Sequence, residues 1–292
     1  VGLYTGKVVI VTGSGNGIGR AEALAFAKEG AHVVVNDVGG ARDGTGKDTK
    51  AADAVVAEIK AAGGDAIATT TSVADLDGAE SIVWAALNRY KRVDVLVNNA
   101  GILRDKGLLN MAVAEWDAVL DVHLKGSFLM TRAFGRAIKQ QGPGAYAIVN
   151  TTSMSGLLGN FGQANYSAAK AGLFGLTRTT SIEFEKLGCR TNAIAPVALT
   201  RMTEDIPLLQ QMGVEQMGPI HVAAVVSWLA SDLAKDVNGR VFGVHGKKVF
   251  EYAMSQSDGV DGPNGNDSGD DSDAPWTPEA LQAALPRIGF KG

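Results

Sequence analysis

The segment KVVIVTGSGNGIGRAEALAFAKEGAHVVVND, residues 7–37, restricts the fold more than any other part of this chain. The apolar run from Val8 to Val11 reads as a buried strand, an Ala-rich helical stretch follows a glycine turn, and His32 to Asn36 reads as a second strand. Strands buried on both faces are parallel, and joining two of them through a helix makes a β-α-β unit. In the turn, Gly13 permits the tight bend, Gly17 has no Cβ to obstruct a pyrophosphate and Gly19 lets the helix approach the strand. The free N–H groups at the helix start attract anions. The spacing is TGxxxGxG rather than GxGxxG. A glycine loop alone is often just a turn, but strand, loop, helix and strand in this order predict nucleotide binding.

The alternation continues, with strand-like runs near residues 66–70, 93–97, 146–150, 190–194 and 240–244 and helical patterns between them. The expected fold is α/β: a single Rossmann-type, doubly wound parallel sheet of about seven strands with helices on both faces. Ligands of such sheets bind outside the carboxyl ends of the strands, where the motif residues fall. Residues 1–254 are expected to form this one domain. Residues 255–274 hold six Asp and no basic residue, a linker composition that cannot bury a core. Residues 275–292 carry a helical cassette, with Thr277 as cap, Pro278 in the first turn and Pro286 as stop. Its Trp276, Leu281, Leu285 and Phe290 suit docking on the body or on a neighbouring subunit. The net charge of −4 belongs to this tail, because residues 255–292 hold seven acids and two bases.

Asp37 closes the second strand about twenty residues beyond the glycine loop, placed to accept hydrogen bonds from ribose hydroxyls and to repel a 2′-phosphate. NAD is therefore favoured over NADP, although Arg42 and Lys47 lie near enough to answer a phosphate. Tyr166 and Lys170 share a helix face at i and i+4, so an ammonium there lowers the cost of a phenolate. Ser153, on a neighbouring strand end, could hold the same substrate oxygen. A bare YxxxK also describes an ordinary amphipathic helix.

TGSGNGIG at 12–19, NNAG at 98–101, Ser153, YSAAK at 166–170 and NAIAP at 192–196 stand in the order and spacing of the short-chain dehydrogenases/reductases, and residues 3–249 resemble that family. Segments such as NNAGILRDK, VHLKGSF and GNFGQANYSAAK resemble one subgroup in particular, the dehydrogenase portions of multifunctional enzymes of peroxisomal β-oxidation, also described as 17β-hydroxysteroid dehydrogenases. The resemblance implies catalytic Ser153, Tyr166 and Lys170, and cofactor contacts from Gly13, Asn16, Gly17, Ile18, Gly19, Asp37, Ser72, Val73, Asn99, Ala100 and Gly101. It adds Pro196 to Leu199 beside the nicotinamide carboxamide, Thr200 and Thr203 near the pyrophosphate, and Tyr166 and Lys170 near the nicotinamide ribose. Two positions depart from the family pattern. Val197 replaces the usual glycine after the proline, and His123 stands where many members carry an asparagine that anchors a proton-relay water. A histidine can still donate and accept, so His123 is a candidate catalytic residue beside the structural reading. The resemblance also implies a homodimer or homotetramer formed through the helices carrying Phe128, Phe134, Leu173, Phe174 and Leu176.

The remaining residues narrow the function classes. His32, His221 and His245 lack ligand spacing, so no metal site is expected. The single Cys189 suits a reducing compartment and core filling. No apolar run reaches the roughly eighteen residues of a membrane span. No signal peptide is read at the start of this sequence, which opens on Val1 rather than Met, and the end FKG resembles no peroxisomal address, so the cytoplasm is the expected location. An acidic tail on a near-neutral body makes nucleic acid an unsuitable partner. The expected activity is NAD-dependent oxidation of a secondary alcohol, and the resemblance implies (3R)-3-hydroxyacyl-CoA as the substrate, giving 3-oxoacyl-CoA. A free 17β-hydroxysteroid substrate and a non-catalytic NAD-binding structural or regulatory protein remain as alternatives. The methionines between Met202 and Met217 suit an adaptable lid over the acyl chain.

Overall fold

The computed structural model describes residues 2–46, 48–200, 207–259 and 276–288. Eight strands form one sheet in the order β3-β2-β1-β4-β5-β6-β7-β8. They are β1 (Val8–Thr12), β2 (His32–Asn36), β3 (Asp65–Thr69), β4 (Val95–Asn98), β5 (Tyr146–Thr151), β6 (Cys189–Val197), β7 (Val241–His245) and β8 (Lys248–Glu251). The connecting helices are α1 (Gly17–Lys28), α2 (Lys50–Ala61), α3 (Leu76–Tyr90), α4 (Val113–Leu120), α5 (Gly126–Gln141), α6 (Ser155–Leu158), α7 (Ala164–Glu183), α8 (Pro207–Met217) and α9 (Pro219–Ala230). The first seven strands are parallel, as their continuous apolar runs predict.

Side-chain alternation explains why these runs need cover on both faces. In β1, Val9 and Val11 join a core with Phe26 of α1, Val55 of α2 and Leu229 of α9. Val8 and Ile10 point the other way, into a core with Ile82 of α3 and Met130 and Phe134 of α5. The parallel run of about seven strands gains an eighth, because β8 pairs antiparallel with β7 across a tight turn at Gly246 and Lys247. A four-residue strand with exposed Lys248 and Val249 carries too short a pattern to stand out in the sequence. The order reverses between β1 and β4, and this switch point opens the cleft that the carboxyl strand ends line.

Two compact units are distinguished, Val1–Tyr252 and Ala253–Gly292. In the second, α10 (Pro278–Ile288) starts as expected, with the Ala280 N–H donating to Thr277 Oγ1 at 3.1 Å. The helix does not stop at Pro286 but runs two residues further, since a proline in the last turn removes one N–H and weakens the turn without closing it. Phe290 and linker residues 260–275 lie outside the described residues.

Candidate active site

Buried polar side chains fix the strand ends that carry the motifs. The Asn99 side-chain amide donates to the carbonyl oxygens of Thr12 (2.9 Å) and Gly13 (3.0 Å), while Thr12 Oγ1 accepts from the backbone N–H groups of Asn99 and Ala100, each at 3.1 Å. This ties the glycine loop to the end of β4. Gly19 must be glycine for the same reason, since a Cβ there would stand 2.4 Å from Asn99 Nδ2. A second chain runs deeper, Asn98 Nδ2 donating to Asn150 Oδ1 at 2.9 Å and Asn150 Nδ2 to Thr177 Oγ1 at 2.9 Å. It locks β4 to β5 and β5 to α7, the two elements that carry the candidate catalytic groups.

Beside this frame lies a cleft of about 440 Å³ lined by Gly13, Asn16, Gly17, Ile18, Gly19, Asp37, Ser72, Val73, Asn99, Ala100, Gly101 and Thr200, twelve of the residues singled out in the sequence. Asn16 is the extended N-cap of α1, which leaves the first N–H groups of that helix facing the cleft. Thr200 approaches Gly17 from across the opening. Asp37 accepts from the Gly15 N–H (2.8 Å) and the Gly39 N–H (2.7 Å), so its carboxylate is held at the end of β2. Arg42 lines the same cleft. Pro196 pairs with Val244 in the sheet, and the Leu199 N–H donates to the Met217 carbonyl. Thr203, Met202 and Lys47 lie outside the described residues.

Tyr166 and Lys170 share a face of α7, with the Lys170 ammonium 5.5 Å from the centre of the Tyr166 ring. The buried Lys170 donates to the Thr151 carbonyl at the end of β5, and Thr152 Oγ1 donates to the Lys170 carbonyl at 2.6 Å. Burial pushes the lysine down to about 7 and the Tyr166 phenol up, while a hydrogen bond with Ser153 pulls the phenol back. Each group disfavours its own charged form, and an ammonium beside a phenolate is the state in which both costs are offset. Ser153 itself is fixed by the Ser155 N–H, which donates to its Oγ at 3.2 Å.

His123 sits in a π-helical turn, Asp121–Lys125, inserted between α4 and α5. The turn rotates the buried imidazole against the edge of the Tyr166 ring, with centroids 5.2 Å apart at 89°. Its Nε2 lies 3.0 Å from the Ile102 N and 2.8 Å from the Ile102 carbonyl oxygen. Burial and the neighbouring Lys170 hold the ring well below its usual pKa, so it is neutral. Its Nδ1 is buried without a hydrogen-bond partner among the described residues. Such inserted turns are frequently found at functional sites. Gly101 makes room for the ring, since a Cβ there would lie 2.3 Å from His123 Cε1. The histidine was visible in the sequence, but the extra residue in its turn was not.

The family model described as short chain dehydrogenase matches residues 7–208, which span the glycine loop, the cleft and the Ser153, Tyr166 and Lys170 group. The chain belongs to the short-chain dehydrogenases. It is 48% identical over 241 residues to the peroxisomal multifunctional enzyme type 2 of Mus musculus, covering 82% of this chain but 32% of that enzyme. A hydroxyacyl-CoA dehydrogenase of Mycobacterium tuberculosis is 41% identical over 96% of this chain and 88% of its own. A 3-oxoacyl-[acyl-carrier-protein] reductase of Synechocystis is 44% identical over 84% and 98% respectively. The crystal structure of a short chain dehydrogenase from Mycobacterium avium superimposes with a TM-score of 0.82 at 42% identity, covering 98% of this chain and 95% of that one. As a short-chain dehydrogenase with a Rossmann-type cleft, the chain is an oxidoreductase that uses a nicotinamide cofactor. Among the described residues no helix is long and apolar enough to cross a membrane, and no cluster of three or more His, Cys, Asp or Glu is placed to hold a metal.

Proposed function

We propose that this short-chain dehydrogenase oxidises a (3R)-3-hydroxyacyl-CoA to the 3-oxoacyl-CoA with NAD. The carrying observation is the grouping of Ser153, Tyr166 and Lys170 on elements locked together by the Asn98, Asn150 and Thr177 chain. The bound nicotinamide would accept the hydride from the carbinol carbon. Tyr166 takes the hydroxyl proton, Ser153 holds the oxygen as the carbonyl forms, and Lys170 offsets the charge of the phenolate. The substrate class is supported by two relatives, one named for hydroxyacyl-CoA and one for a 3-oxoacyl group on acyl carrier protein. Both of those relatives are named for an acyl thioester, and that supports an acyl thioester as the substrate here. The R hand follows the resemblance to the peroxisomal subgroup. Preference for NAD follows from Asp37, whose fixed carboxylate at the end of β2 disfavours a 2′-phosphate.

Initial rates of NADH or NADPH formation from (3R)- and (3S)-hydroxyacyl-CoA, the matching acyl carrier protein thioester and a free 17β-hydroxysteroid would test this reading. The expected result is a kcat/KM for the (3R)-CoA thioester with NAD at least about tenfold above every other pairing, a margin that one well-placed polar contact supplies. A preference for the steroid would reassign the substrate. Cofactor binding without turnover of any of these would favour the non-catalytic reading.

His123 enters this scheme as a positioning residue for Tyr166. His123→Ala is expected to lower kcat about tenfold or more, in keeping with a displaced general base, with unchanged affinity for reduced cofactor. His123→Asn, which still donates and accepts beside Ile102, should recover most of the loss. A kcat in His123→Ala equal to the parent's would reduce the imidazole to core filling.

A further inference from the structure

We propose that residues 39–46 are a retaining strap across the cofactor cleft, whose opening sets the rate at which the dinucleotide enters and leaves. The proposal rests on the cofactor reading of the cleft given above and names how exchange at that site is controlled.

The segment is built to move as a unit. Within ARDGTG, residues 41–46, Asp43 accepts from the backbone N–H of Thr45 (2.9 Å) and from its hydroxyl (2.6 Å). The Ala41 N–H donates to the Thr45 carbonyl at 2.8 Å, and the Gly44 N–H to the Ala41 carbonyl at 2.9 Å. Every one of these bonds stays inside the segment, so the turn keeps its shape without help from the sheet. At its base, the Gly39 N–H donates to the same Asp37 carboxylate that accepts from the Gly15 N–H of the glycine loop.

From that base the segment crosses to the far wall of the cleft. The Leu103 N–H donates to the Arg42 carbonyl at 2.9 Å, and Arg104 Nε donates to the Asp43 carbonyl at 2.9 Å. The Ile102 side chain lies directly under Gly44, 3.1 Å from where a Cβ would stand. Gly40, Ala41, Arg42, Gly44 and Gly46 line the cleft from the strap side. Ile102 and Arg104 line it from the other, so the contacts that close the strap are also walls of the site. An exposed hydrogen bond from Arg104, a half-buried one from Leu103 and the apolar contact with Ile102 are among the contacts of this clasp, of the sort that opens locally while the sheet stays folded. Loops that close over ligands open and shut in microseconds to milliseconds, and their opening often limits product release.

The geometry supplies its own test. A Cβ built on Gly44 stands 3.7 Å from the Ile102 Cβ, close to the mean of about 3.8 Å for a disulfide, although Gly44 has φ +81° and a cysteine there carries backbone strain. The chain's only cysteine, Cys189, is buried and does not compete for pairing. In the full-length double variant Gly44→Cys with Ile102→Cys, NADH binding and release would be followed by stopped-flow fluorescence before and after oxidation. Oxidation should slow both entry and exit at least tenfold, and reduction should restore them. A tighter contact would slow exit alone, so slowing of both distinguishes a gate from a grip. Equal rates in the two redox forms, with wild type binding NADH normally, would overturn the strap and leave the cofactor reading intact. A wild type that binds neither NADH nor NADPH would overturn both. Should the double variant fail to fold, Arg104→Ala removes one side of the clasp and should speed entry and exit together several-fold, whereas unchanged rates or faster exit alone would overturn the gate.

Discussion

In Tyr166→Phe, alcohol oxidation falls by about a thousandfold or more, within the range that a lost general base explains, while the dissociation constant for reduced cofactor stays within about twofold, as expected when uniform binding is untouched. Phenylalanine keeps the ring on α7 and its edge contact with His123, so what disappears is the hydroxyl beside Ser153 and Lys170. The pH dependence gives an independent reading. Oxidation needs the phenolate, so the parent rate should climb with pH as the phenol ionises. Burial sets that ionisation high, the Ser153 hydrogen bond brings it down and the Asp105 carboxylate raises it again, while an ammonium on the neighbouring Lys170 favours the phenolate as any close opposite charge does. Lysine, pushed down to about 7, loses its own charge on the alkaline side unless the phenolate holds the proton on it. The two groups therefore titrate as a pair, and the limb reports on both. The variant should lose the alkaline limb along with the rate. Retained turnover, or a surviving limb, would remove Tyr166 from the base position.

The second large effect concerns stability and involves no catalytic residue. Glu22 lies on the buried face of α1 with Gly19, Ala23 and Phe26, and both carboxylate oxygens lack a hydrogen-bond partner among the described residues. Burial alone raises its pKa from 4.5 to about 8. The folded chain thus holds this proton across a range where the unfolded chain has released it. Between those two values the unfolded state binds fewer protons, so stability is full below about pH 4.5, declines as pH rises, and levels off above about pH 8. At 1.36 kcal/mol per unit, the span corresponds to about 4–5 kcal/mol. Glu22→Gln removes the ionisation and keeps the shape. The variant should match its parent near pH 5 and melt higher near pH 9, by on the order of 5–10 °C for a domain of this size. Thermal melts of both proteins at the two pH values isolate Glu22 from every other titrating group. Equal melting temperatures near pH 9 would mean that the carboxylate is solvated or paired in the folded state.

What was readable in the sequence had short-range signals. The first β-α-β unit announced itself because an apolar run, three glycines and an Asp at the next strand end are all set by local geometry, and the cleft collects Gly13, Gly17, Gly19 and Asp37 as that geometry requires. Tyr166 and Lys170 were readable for the same reason, since four residues on a helix fix a common face. The parts that escaped depend on distant contacts. Glu22 looks like a surface residue of an Ala-rich helix until α9 packs over α1, and nothing in RDGTG tells that its carbonyl groups reach Leu103 and Arg104. The π turn at His123 adds one residue to a helical repeat that otherwise reads smoothly. Pro196 and Leu199 followed the family pattern in sequence, but nothing local told that Pro196 pairs with Val244 of β7 or that the Leu199 N–H reaches the Met217 carbonyl.

The contact between Gly101 and His123 also sets an order on how this site can change through mutation. A side chain at position 101 collides with the imidazole at 2.3 Å, so any residue larger than glycine is closed to that position while the histidine stands. Shrinking position 123 first leaves a void but no clash, and only then does position 101 become free to vary. Change at this pair is therefore ordered, position 123 first and position 101 after it, which makes the histidine the gatekeeper of its neighbour's evolution.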